Sequence, residues 1–70
     1  MNPHVDEADI LAFIHAYTRT YRHPPTLREI AESCGCAIGT IQHHLAKLKA
    51  QGALTWQPGI PRTIVLTEDA

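Results

Sequence analysis

The chain is 70 residues long, with 44% hydrophobic and 19% charged residues and a formal charge of −1. That length and composition suit one globular domain and exclude both a multi-domain enzyme and a highly charged disordered chain. Six Lys and Arg against seven Asp and Glu leave a bulk charge that does not by itself call for a polyanionic partner.

Met1 to Val5 read as a loose start. Asp6 then offers a helix cap, with acidic residues in the turn that follows, where the helix dipole favours them. Ile10, Phe13 with Ile14, Tyr17 and Tyr21 recur at helical spacing and predict a first helix over about 7–21. Arg19 and Arg22 fall at its end, and Pro24-Pro25 forbids continuation.

Thr26 and Glu29 stand at capping-box spacing, each able to satisfy the other's free backbone N–H. Leu27, Ile30, Ala31 and Cys34 supply the apolar stripe of a short second helix, about 27–33, and Gly35 suits a left-handed helix end. A third helix is expected over about 40–50, with Ile41, Leu45 and Leu48 as its buried stripe and Gly52 as its stop. Ala53–Trp56 and Thr63–Leu66 are β-like, and Gln57–Arg62 holds the proline and glycine of a turn, which predicts a hairpin over about 53–66. The order of helix, helix, helix and hairpin describes a small α+β domain.

Ala31, Gly35 four residues later and Ile41 six beyond that have helix-turn-helix spacing. The small residue lets two helices cross closely, the glycine makes the turn, and the branched residue anchors the second helix beneath the first. The hairpin that follows makes this a winged helix-turn-helix with the third helix as recognition helix. Charge is distributed accordingly. All six basic residues (Arg19, Arg22, Arg28, Lys47, Lys49 and Arg62) lie between Ile10 and Thr67 with only Glu29 and Glu32, and Ala37–Leu66 contains no acid.

The run Pro24-Pro25-Thr26-Leu27-Arg28-Glu29-Ile30-Ala31 resembles the Pro-Pro-Thr and Glu-Ile-Ala signature in the DNA-binding domain of the LexA repressor family. His44-Leu45-Ala46-Lys47-Leu48, Gly52, and Pro61-Arg62 with Ile64 continue that pattern, so the resemblance spans roughly residues 8–67. It implies a winged helix that inserts its third helix into the major groove of double-stranded DNA, in a transcriptional regulator that represses by occlusion. The loop entering the third helix is about one residue shorter than in that family. Ile38, Gly39 and Thr40 also differ, so the family's operator sequence is not carried over. LexA repressors have a second domain with a Ser/Lys self-cleavage dyad and most of the dimer interface. Seventy residues have no room for it, and self-cleavage is not expected of them.

On the third helix the buried stripe defines the opposite face by elimination. His43 and Ala46 centre it, with Thr40 and Lys47 on one flank and Gln42 and Lys49 on the other. Thr40, Gln42 and His43 are candidates for reading base edges, and Lys47 and Lys49 for meeting phosphate. The alternative for all five is a solvated polar face. Thr26 and Arg28, at the start of the second helix, can form an anion site there, or Thr26 can simply cap. Arg62 matches the family's wing arginine. It can contact phosphate or the minor groove, or hold the turn by hydrogen bonds.

Cys34, Cys36, His43 and His44 are four possible zinc ligands at unfavourable spacing: Cys-x-Cys is too tight a pair, and adjacent helical histidines diverge. The cysteines instead occupy small apolar core positions and His44 the edge of the core, so no metal or other cofactor is expected. Trp56 is expected to pack at the wing base beside Leu54, with base stacking as the alternative. No paired carboxylates or glycine-rich phosphate loop suggest an enzyme, a small-molecule substrate is not expected, and no apolar run suggests a membrane span. The expected location is cytoplasmic and nucleoid-associated. One copy reads only a half-site, so a homodimer or a partner protein is expected on DNA. The rival reading is a winged helix that binds protein and not DNA.

Overall fold

A computed structural model describes residues 6–67. Three helices, α1 (Glu7–Tyr21), α2 (Leu27–Cys34) and α3 (Ile38–Ala50), precede two short strands, β1 (Leu54–Thr55) and β2 (Val65–Leu66). The strands pair antiparallel, Leu54 opposite Leu66 and Thr55 opposite Val65. This is the expected small winged helix-turn-helix. The loose start read for Met1–Val5 lies outside the described residues, as do Glu68, Asp69 and Ala70.

Asp6 caps α1, its Oδ1 accepting from the Ala8 N–H at 2.9 Å. The helix ends at Arg22, a left-handed residue (φ 65°) whose N–H returns to Thr18, and the two prolines lead away. Both halves of the capping box form on α2: Glu29 N–H donates to Thr26 Oγ1 at 3.1 Å and Thr26 N–H to Glu29 Oε1 at 2.8 Å. Gly35 (φ 72°) closes α2 one residue later than expected, its N–H returning to Ala31.

The third helix starts at Ile38, ahead of Thr40. Among the described residues no side chain caps it; Ala37 takes the extended cap conformation and its carbonyl accepts from Thr40 and Ile41. The strands are shorter than the predicted β segments because Thr63 satisfies the turn instead of a ladder. Gln57 N–H donates to Thr63 Oγ1 at 2.9 Å, and that hydroxyl lies 3.0 Å from the Ile60 carbonyl.

Ile10 and Ile14 of α1, Ile30 and Ala31 of α2, Ile41, Leu45 and Leu48 of α3, Leu54 and Ile64 form the core. Every element supplies a residue to this core or packs against it. Cys34 and Cys36 pack against this core half-buried. The apolar stripe of α1 leaves the core before it ends: Tyr21 is 57% exposed, its ring tilted by 46° against Tyr17 with centroids 4.5 Å apart. None of the described helices is long and apolar enough to cross a membrane.

Candidate nucleic-acid interface

The first turn of α2, the start of α3 and the wing enclose a groove of about 290 Å³ lined by, among others, Thr26, Arg28, Gln42, Trp56 and Arg62. Four of the eight residues expected to meet DNA thus converge. Thr26 is occupied as a cap, and Arg28, beside it, is exposed with no ion pair among the described residues. Gln42 reaches the groove from α3 because it lies a turn beyond Ile38, which lines the floor.

The other four sit on α3 outside the groove lining. His43 is exposed at the centre of the outward face, and Thr40 is half-buried at its edge. The two lysines diverge. Lys47 turns toward α1, its Nζ 3.6 Å from Glu7 Oε2, whereas Lys49 turns toward the wing, its Nζ 5.4 Å from the centre of the Trp56 ring, close enough for a cation–π contact.

Arg62 is the most heavily bonded of the set. Its Nη1 lies 3.1 Å from Glu29 Oε1 and its Nη2 3.2 Å from Glu29 Oε2, a two-pronged pairing that suits the guanidinium fork. Nη1 is also 3.0 Å from the Pro24 carbonyl, 3.2 Å from His23 Nδ1 and 3.3 Å from the Tyr17 hydroxyl. The side chain therefore ties the end of the wing turn to the start of α2.

These contacts shape the charges. Thr26's backbone N–H and then the Arg62 guanidinium hold the Glu29 carboxyl down to about 2. His44, whose Nδ1 is 3.0 Å from Glu7 Oε2, holds the Glu7 carboxyl below its ordinary value, with Lys47 acting the same way and burial opposing. Burial pushes the Cys34 thiol up. His44 faces Glu7, and among the described residues no three His, Cys, Asp or Glu side chains gather as a metal site.

Three contributors escaped the sequence reading. Glu7 meets α3 across 37 residues and Glu29 meets the wing across 33, and no local spacing announces either. Ile60 projects from the wing turn, 54% exposed, and lines the groove; an apolar residue inside a Pro-Gly turn was the available signal. Trp56 is half-buried at the wing base as expected, and its Nε1 is buried without a hydrogen-bond partner among the described residues.

The model of the LexA DNA binding domain matches residues 6–63. The LexA repressor of Bacillus subtilis (strain 168) is 38% identical over 64 residues, which is 90% of this chain and 31% of that protein. The LexA repressor of Carboxydothermus hydrogenoformans is 36% identical over the same shares. The chain thus spans about a third of the length of these relatives. With the family model matched from the cap of α1 to the far side of the wing turn, the chain belongs to the LexA DNA binding domain family.

Proposed function

We propose that the chain binds double-stranded DNA sequence-specifically and serves as the operator-reading part of a transcriptional repressor. The observation that carries this is the convergence of Thr26 and Arg28 from α2, Gln42 from α3 and the wing turn around one groove, beside an exposed α3 face that holds His43. Phosphate lies against the α2 start, where Arg28 adds charge to the free N–H groups and the helix dipole. The first turns of α3 enter the major groove. There Gln42 can pair with an adenine and Thr40 can touch a thymine methyl, each good contact discriminating by about 1–3 kcal/mol. Lys47 and Lys49 flank the helix on opposite sides and meet the two bordering phosphate strands.

One recognition helix covers a half-site, and a chain of charge −1 has little long-range attraction for DNA. Two copies on a two-fold operator, with half-sites about 34 Å apart or a multiple of that, supply the missing affinity. The test is selection from a random duplex pool followed by titration of the enriched sequence against salt. An enriched motif, a log affinity falling linearly with log salt, and a loss of about tenfold or more in Arg28→Glu are expected. No enrichment at low salt would overturn the reading.

A further inference from the structure

We propose that Arg62 is a positioning residue that clasps Glu29 to set the wing against the recognition helix, and that it does not itself touch DNA. The inference rests on the DNA-binding reading above and assigns one residue of that site a different task.

Leu54 and Ile64 root the wing in the core, but its turn, from Gln57 to Arg62, contributes no buried residue. Its ladder is two residue pairs long, and a ribbon of that size does not orient itself. Its tip projects into solvent with Ile60 exposed. Arg62 stands where the turn rejoins the body, and its partners come from three separate places: Tyr17 in α1, Pro24 in the connection, and Glu29 in α2. Nη1 has two hydrogens and four acceptors within 3.3 Å, so its bonds are shared, while Nη2 adds the second prong to Glu29.

The backbone agrees. Arg62 has φ 61°, a left-handed conformation that a side-chain-bearing residue keeps only when its surroundings impose it. Glu29 completes the device because its Oε1 also accepts the Thr26 N–H. One carboxylate therefore joins the α2 start, with Thr26 and Arg28, to the wing turn on the other side of the groove. A guanidinium so paired offers a phosphate little net charge, and the Glu29 carboxylate beside it repels one.

The two roles predict opposite signs for Glu29→Gln. Glutamine keeps an oxygen for the Thr26 N–H but gives up the charge that holds Arg62. If Arg62 positions the wing, affinity for the selected duplex falls by up to about fivefold, the scale of a partly exposed pair. If Arg62 contacts phosphate, freeing it raises affinity. Arg62→Ala should weaken binding while leaving the slope of log affinity against log salt unchanged, and Arg62→Lys should fall between. A hydroxyl-radical footprint should lose the wing's protection and keep that of α3. A rise in affinity with Glu29→Gln, or a slope flattened by about one phosphate contact in Arg62→Ala, would overturn the proposal.

A measurement without DNA separates this failure from failure of the DNA reading. In the free protein, amide exchange at Gln57 and Ile60, which donate to Thr63 Oγ1 and the Gln57 carbonyl, should quicken in both Glu29→Gln and Arg62→Ala. The amides of α1 and α3 should stay as protected as in the parent. Unchanged exchange in the wing would sink the clasp whether or not the chain binds DNA.

Discussion

His44 Nδ1 lies 3.0 Å from Glu7 Oε2 and so binds the middle of α3 to the first turn of α1. The same oxygen is 3.6 Å from Lys47 Nζ, which places an acid directly beside a cation proposed to meet phosphate. Because His44 and Lys47 hold the Glu7 carboxyl below its ordinary value, it is fully charged at neutral pH and offsets part of the lysine's attraction for DNA. Glu7→Gln should therefore raise affinity and steepen the slope of log affinity against log salt by up to about 0.9, the share of one phosphate contact. Fluorescence anisotropy over a salt series checks both. An unchanged slope would place Lys47 away from the DNA backbone.

Acid should loosen the domain through Glu29. Its carboxyl titrates at about 2 in the folded chain against an ordinary 4.5. A group depressed on folding contributes stability above its unfolded pKa, and that contribution drains away as pH falls through the folded one. The advantage of the parent over Glu29→Gln should thus be full above about pH 5 and shrink steadily toward pH 2. Urea unfolding of both proteins across that range measures it. Glu7 shifts in the same direction, so a residual slope in Glu29→Gln is expected, and a double variant with Glu7→Gln should be flatter still.

Local signals in the sequence were enough for much of this fold. Thr26 and Glu29 are three residues apart, and a capping box needs nothing from elsewhere. Ile41, Leu45 and Leu48 announce their burial by period alone, and all three are in the core. The start of α3 was hidden because Ala37 caps with its backbone only, leaving Thr40 as the more cap-like residue. Tyr21 kept the period of α1 beyond the point where the body ends, while Pro25, read as a helix stop and part of the Pro-Pro-Thr signature but not as core, is fully buried. At the candidate site, the residue types were legible from the pattern but their partners were not. Arg62 to Glu29 and Lys47 to Glu7 are tertiary pairs, and such pairs decide whether a cation faces DNA or the protein.

Gly39 should separate stability from binding. It lies in the second position of α3, exposed, with helical backbone, and beyond its chain neighbours and the helix's own backbone no atom of the described residues comes within 4 Å of where a Cβ would stand. Gly39→Ala should stabilise the fold by about 0.5–1 kcal/mol, since alanine loses less backbone freedom in a helix. The added methyl points from the outward face that also carries His43, so it should weaken DNA binding where the backbone approaches a base pair or phosphate closely. Gly35→Ala meets no clash either, but φ 72° costs an alanine about 1–2 kcal/mol. Thermal melts beside DNA titrations should show Gly39→Ala melting higher and binding worse, and Gly35→Ala melting lower.

Leu45 and His43 make the complementary test within one helix. Leu45 is fully buried in the core cluster, and Leu45→Ala should cost about 2–5 kcal/mol from lost transfer and the cavity left behind. A single core this small rarely supplies more than about 3–5 kcal/mol in all, so that variant should be largely unfolded at 37 °C. Ile41→Val, costing about 0.5–1.5 kcal/mol, should remain folded, melt lower and bind DNA normally at room temperature. His43 is exposed with its ring edge-on to His44 at 5.7 Å, and His43→Ala removes little that the fold uses. Its melt should match the parent within about 0.5 kcal/mol while its affinity for the selected sequence falls and its binding to random duplex does not. Equal losses on both duplexes would make His43 a backbone contact, and no loss on either would take it out of the interface.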